Sequence, residues 1–270
     1  MPDNKYNFLQ NLAACLFYPL IEKRNKSFNQ FPFIKPLSIH LIQSTYIKNY
    51  IEGKCLFDNL INYFFNQEEL ILYSNFTKNG SIRKRLIGQI IGKIAVLNVL
   101  ASCKIKDILP SQIILKKNHL GMPIIELNNV PIDFDIHVSI SHKDDLNIAA
   151  AGLNRIGIDI ERKRHFGPIF IKRIFTEKEI ERSIQIFNHI DSNKNGIDKD
   201  LAYTCLFSIK ESVAKALGYG LRIDFREINI IPSDSDIKVE LKRFKDQDFC
   251  FNPLIYLKNN YIFTLIEYVG

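Results

Sequence analysis

The sequence predicts an α+β fold, and two observations carry that reading. Helix-like and strand-like segments intermix without the regular strand–helix alternation of a parallel sheet. At 270 residues and 46% hydrophobic content, the chain can also bury a sizeable core, in one large domain or two small ones.

In chain order, residues 1–36, closed by Pro32 and Pro36, read as a helical N-terminal addition. "LSIHLIQSTY" (37–46) reads as a strand, and "CLFDNLINYFF" (55–65) spaces its apolar residues as a helix does. After the turn "TKNGS", residues 82–102 form a long helix with Leu86, Ile90, Ile94 and Leu97 on its buried face. Strands follow at "IILKK", "PIIEL" and 132–142. In that last segment Ile132, Phe134, Ile136, Val138 and Ile140 alternate with Asp133, Asp135, His137, Ser139 and Ser141. "LNIAAAGL" (146–153) pairs with it across the turn "KDD", and "IGIDIERKR" (156–164) begins the next strand. Thr176 and Glu179 form a capping box that opens a helix over 176–190. Residues 191–200 imitate the first half of a calcium loop, but Ala202 stands where a bidentate Glu is needed, so they read as a loop. A helix over 200–220 ends at Gly218 and Gly220. "FREINII", "DIKVEL", "LIYLK" and "YIFTLIEY" complete the strands.

The formal net charge of +7 is scattered, which favours a partner carrying phosphates or acidic groups. No continuous basic stripe with interleaved aromatics is present, which argues against nucleic acid. No apolar run reaches the roughly 18 residues that a membrane helix needs. Leu12-Ala13-Ala14-Cys15 resembles a lipoprotein cleavage box, but the segment before it is too polar for a signal core. Five widely spaced cysteines without a CxxC fit a reducing cytoplasm rather than a disulfide or zinc framework.

Asp159 and Glu161 stand two apart in a strand, so they share a face, opposite Ile156, Ile158 and Ile160. Adjacent carboxylates repel and need a cationic answer. Either Arg162, Lys163 and Arg164 neutralise an exposed face, or a divalent metal sits between the two. Glu211, beside Lys210 and four residues before Lys215, reads in isolation as a surface helix ion pair. Together, three carboxylates, several lysines and His142 form an inventory suited to magnesium and a pyrophosphate.

"VSISH" (138–142), "GIDIE" (157–161), "FTEKE" (175–179) and "FSIKESVAKALGYG" (207–220) resemble, in order, motifs of the 4′-phosphopantetheinyl transferases of the large, pseudo-dimeric type. "RKRLIGQ" (83–89) and "LGMPII" (120–125) resemble the earlier motifs, so the likeness runs from about residue 37 onward. It implies two similar α+β halves about a pseudo-twofold axis, 37–154 and 155–270, with the metal site in the second. It also implies Mg²⁺-dependent transfer of phosphopantetheine from coenzyme A to a serine of an acyl or peptidyl carrier protein, releasing 3′,5′-ADP. Asp159, Glu161 and Glu211 would be the metal ligands, with Glu211 and Lys215 catalytic. Ser141, His142, Lys210 and Lys215 would contact the phosphates, and Lys84 and Arg85 the nucleotide end. Glu179 matches a recurrent acidic position of open role. The basic residues 162–164, Lys172 and Arg173 would dock an acidic carrier protein. A monomer is expected.

Two departures stand out. Met122 replaces the usual lysine of Gly-Lys-Pro, and Phe207 replaces a tryptophan, which should keep the aromatic packing. The competing readings are a magnesium-dependent hydrolase of coenzyme A or other nucleotide pyrophosphates, and a carrier-protein binding module without turnover.

Overall fold

The computed structural model describes residues 36–43, 61–74, 81–190, 198–232, 237–242 and 250–269. The expected N-terminal helix, the start of the 55–65 helix, most of the "TKNGS" turn and most of the acidic loop lie outside them.

After strand β1 (Leu37–Gln43) come helices α1 (Gln67–Ser74) and α2 (Ser81–Ser102). Next are strands β2 (Ile113–Lys117), β3 (Pro123–Leu127), β4 (His137–Lys143), β5 (Leu146–Gly152) and β6 (Ile156–Arg162). Helices α3 (Pro168–Ile174), α4 (Glu177–Ile190) and α5 (Lys199–Ala216) follow, then β7 (Ile228–Pro232), β8 (Ile237–Leu241), β9 (Cys250–Lys258) and β10 (Tyr261–Val269). The mixture is α+β, as expected.

The topology repeats. An antiparallel sheet ordered β1-β5-β4 is matched by one ordered β6-β10-β9, and the hairpin β2–β3 by β7–β8. Helix α2 packs on the first sheet as α5 packs on the second. Each of the two sheets contains a hairpin closed by a two-residue turn. In β4–β5 the turn is Asp144-Asp145, and in β9–β10 it is Asn259-Asn260. Asp144, Asn259 and Asn260 all take positive φ, which Asp and Asn tolerate better than most residues.

Aligning those turns makes the correspondence residue-specific. Leu146 matches Tyr261 and, through the pairing register, Gln43 matches Arg162. His40 therefore matches Asp159, Ala149 matches Thr264, and Ile42 matches Glu161. The two sheets also meet through equivalent residues. Leu37, Ile39 and Leu41 of β1 and Ile156, Ile158 and Ile160 of β6 lie in one apolar cluster with Ile148, Ala150 and Leu265.

Three sequence expectations change. The strand expected over 132–142 begins only at His137, although Ile132 and Phe134 still pack on the core. Helices α1 and α3 were not anticipated; both are short, and α3 is set by Pro168 at its first position. The buried side of α2 is broader than one stripe, because Ile87, Ile91, Ala95, Val96, Val99 and Leu100 are covered as well. No helix among the described residues is long and apolar enough to cross a membrane.

Candidate functional site

Gly157, Asp159 and Glu161 share the face of β6 that looks at α5. The approach is so close that a Cβ on Gly157 would fall 1.8 Å from the carbonyl oxygen of Ser212. Only glycine fits there, and the missing side chain is what brings the helix onto the carboxylates. Helix α5 is fixed at its start by the Asp198 carboxylate, which accepts from the N–H groups of Asp200 and Leu201. It stops at Gly218, whose φ of +80° is the expected left-handed cap. Ser208, Glu211, Ser212 and Lys215 recur at helical spacing along one side of it.

Asp159 is buried and held at both oxygens. Its Oδ1 accepts from Lys215 Nζ at 2.6 Å and from Ser141 Oγ at 2.8 Å; Oδ2 accepts from Ser208 Oγ at 2.8 Å. Glu161 Oε2 lies 2.6 Å from Lys143 Nζ, an ion pair whose angle misses the hydrogen-bond direction. Lys215 Nζ also reaches within 3.6 Å of Glu211 Oε2. Its pKa reflects a contest. Burial opposes the charge, but Asp159 and Glu211 outweigh it and hold the ammonium above the ordinary lysine value. Burial raises the Glu211 pKa, and the charges of Asp159 and Glu161 add to that against the relief from Lys215. Three carboxylates, Asp159, Glu161 and Glu211, thus face two ammonium groups, Lys143 and Lys215, so the cluster holds more negative than positive charge.

As they stand, no three His, Cys, Asp or Glu side chains among the described residues form a metal-holding group. The physical reason is visible: lysine ammoniums already answer Asp159 and Glu161. The donors are nonetheless all carboxylate oxygens, the type a hard divalent cation takes, and the surplus of negative charge is what such a cation would meet. The residues therefore fit Mg²⁺.

The halves join at this point. β4 lies beside β6, and its serines stand in for a backbone ladder. Ser139 Oγ accepts from the N–H of Ile158, and Ser141 Oγ accepts from that of Ile160. Ser141 also accepts from Lys215 while donating to Asp159. Its hydroxyl is thus fully engaged by protein groups in this arrangement. His142 lies exposed at the end of β4, on the opposite face by strand alternation. Lys84 and Arg85 fall in the first turns of α2, and their side chains lie outside the described residues.

Lys210 is likewise committed within the protein. It has no exposed surface, and Nζ donates to Glu179 Oε2 and to the carbonyls of Phe225 and Ile228. With all three donors occupied in the core, it cannot reach a phosphate from where it stands; burial lowers its pKa to about 8. Glu179, whose role was open, is the other half of this clasp. It completes the Thr176 capping box and also accepts from the N–H of Ile230. The first half repeats the device: Lys93 Nζ, also without exposure, donates to Glu69, which forms a capping box with Asn66. Lys93 on α2 thus matches Lys210 on α5, and Asn98 matches Lys215.

Phe207 keeps the aromatic packing expected of it, against Phe166, Phe170 and Phe225, with the Arg164 guanidinium 4.8 Å from its ring centroid. The Met122 thioether packs against Gly218, where a Cβ would come within 2.6 Å of sulfur. Of the basic run, Arg162 pairs with Asp144 and Lys163 with Asp198, whereas Lys172 and Arg173 on α3 are exposed. Sequence reasoning missed Ser208, Ser212, Thr264 and Lys143. The i, i+3, i+4, i+7 spacing of 208, 211, 212 and 215 was the available signal.

The fold and this site define a class: a duplicated α+β protein that sets three carboxylates where its halves meet. Residues 155–266 match the model of the 4′-phosphopantetheinyl transferase superfamily. A curated relative, the 4′-phosphopantetheinyl transferase gsp of Aneurinibacillus migulanus, is 25% identical over 173 residues. That match spans 64% of this chain and 64% of the relative, less than two thirds of the relative's length. Among solved structures, the holo-ACP synthase of Plasmodium yoelii is 20% identical, covering 44% of this chain and 93% of its own with a TM-score of 0.34. The Helicobacter pylori synthase, solved in complex with coenzyme A, is 16% identical over 44% of this chain and 99% of its own, with a TM-score of 0.33.

Proposed function

We propose that this protein transfers the 4′-phosphopantetheine group of coenzyme A to a serine hydroxyl of an acyl or peptidyl carrier protein. The serine oxygen forms a new bond to the phosphorus attached to pantetheine, the pyrophosphate P–O bond breaks, and 3′,5′-ADP leaves. Asp159, Glu161 and Glu211 would hold Mg²⁺, which supplies charge stabilisation at the pyrophosphate. The serine proton goes to Glu211 or to a water that Glu211 orients. Lys215 steadies the departing phosphate's charge. His142 would contact the phosphates, and Lys84 and Arg85 the nucleotide end. The division falls between residues 154 and 155, and the working unit is a monomer in the cytoplasm. A carrier docks on α3, where Lys172 and Arg173 are exposed beside Ile169, itself 87% exposed.

The observation that carries this reading is the set of three carboxylates, Asp159, Glu161 and Glu211, facing the two ammonium groups of Lys143 and Lys215, within the residues 155–266 that match the superfamily model. Intact mass spectrometry of an apo carrier protein with this protein, coenzyme A and Mg²⁺ tests it. The expected result is a gain of one phosphopantetheinyl group, abolished by EDTA and by Glu211→Gln. Coenzyme A consumed with no gain on several carriers would make the protein a hydrolase instead. Near-normal turnover of Glu211→Gln would overturn the role given to that residue.

A further inference from the structure

Behind Asp159, on the side away from Lys215, lies a run of buried hydroxyls. Ser208 Oγ donates to Asp159 Oδ2 at 2.8 Å and lies 2.9 Å from Thr264 Oγ1, which also donates to the Ser208 carbonyl at 3.0 Å. Thr264 stands directly across the sheet from Asp159 and lies 2.5 Å from Ser212 Oγ. Ser208 and Ser212 have no exposed surface and Thr264 has 1%. The run reaches from Ser212 through Thr264 and Ser208 to the carboxylate.

The first half of the molecule shows that packing does not require these hydroxyls. On the same correspondence that matches Lys93 with Lys210, Ser208 matches Ile91 and Ser212 matches Ala95. On the hairpin correspondence, Thr264 matches Ala149. All three counterparts are apolar and have no exposed surface. Ala149 pairs with His40, as Thr264 pairs with Asp159. The same helix-on-sheet layer thus closes with Ile and Ala where the strand carries a neutral ring. It carries hydroxyls only where the strand carries a carboxylate. Burying three hydroxyls without need would cost free energy, so their coincidence with Asp159 calls for a cause.

We propose that Ser208, backed by Thr264 and Ser212, is a positioning residue for the carboxylate of Asp159. It pins Oδ2, which fixes the carboxylate plane and leaves Oδ1, facing Lys215, as the oxygen presented to a cation. The proposal rests on the metal reading above and deepens it. Hydrogen-bonded partners of metal ligands typically matter about 10-fold or more in metal affinity.

The test is calorimetric titration of Mn²⁺ into the full chain with coenzyme A present, for wild type, Ser208→Ala, Ser208→Thr and Thr264→Val. Thermal unfolding without metal accompanies each titration. Ser208→Ala should weaken Mn²⁺ about 10-fold and Thr264→Val less. Ser208→Thr should recover affinity, and coenzyme A binding without metal should not change. Thr264→Val is nearly isosteric and carries the test if Ser208→Ala does not fold. Unchanged Mn²⁺ affinity in the folded variants, whatever happens to Tm, overturns the positioning role and leaves the metal reading standing. No Mn²⁺ binding by wild type overturns both.

Discussion

The two halves differ less in architecture than in what they place at one matched pair of positions. In the first half His40 Nε2 lies 2.9 Å from Asn98 Nδ2; in the second, Asp159 Oδ1 lies 2.6 Å from Lys215 Nζ. Burial lowers the pKa of His40 to about 4, so at neutral pH the first pair is uncharged. Ile94 and Ile42 stand where the second half has Glu211 and Glu161. One fold thus tolerates both a neutral and a charged version of the same contact, and the charged version is accompanied by buried hydroxyls and a glycine. The chemistry is a local substitution in a shared frame, with the supports that a buried charge demands.

Gly157 offers the sharpest contrast, because its counterpart, Ser38, already carries a Cβ. Gly157→Ala should unfold the protein or cost more than about 4 kcal/mol, since the obstacle is Ser212 backbone rather than a flexible side chain. Ser38→Ala should cost about 1 kcal/mol, the worth of its hydrogen bond to His40. Urea denaturation of both variants checks this. The clasps predict a similarity instead of a difference. Lys93→Met and Lys210→Met should each cost about 3–5 kcal/mol by leaving a buried glutamate unpaired. Below its Tm, Lys210→Met should bind coenzyme A as wild type does; a selective loss of affinity would return Lys210 to the binding site.

Glu211→Gln should leave thermal stability unchanged or raise it slightly, because burial and the adjacent carboxylates disfavour the charge it removes. A clear fall in Tm would mean that Glu211 supports the fold as much as the site. The smallest effect concerns acid. His40 and His137 both have lowered pKa values, so the unfolded chain binds more protons than the folded one just below the ordinary histidine range. Stability should therefore fall as pH drops from about 6.5 towards 4, and His40→Asn should flatten that slope in thermal scans.

The parts of the site legible in the sequence were those with local causes. Asp159 and Glu161 share a face by strand alternation, the Thr176–Glu179 capping box depends on three-residue spacing, and Gly218 ends its helix through its own φ. What could not be read were contacts between distant segments. Lys210 was expected at the phosphates from the family resemblance of its motif, yet one step along a helix from Glu211 turns a side chain by about 100°. That step points Lys210 into the core. Ser141 likewise sits in the expected place, but its hydroxyl faces a strand from the other half, which no local pattern announces.

The order β6-β10-β9 has a consequence for the newly made chain. β6, which bears Asp159 and Glu161, has its ladder partner in β10, with helices, a hairpin and β9 synthesised in between. Until β10 emerges from the ribosome, β6 has no strand to pair with and Thr264 is not yet there to back the carboxylate. A nascent chain therefore carries Asp159, Glu161 and Glu211 before the sheet that frames them is complete. Activity should appear only with completion of the second sheet.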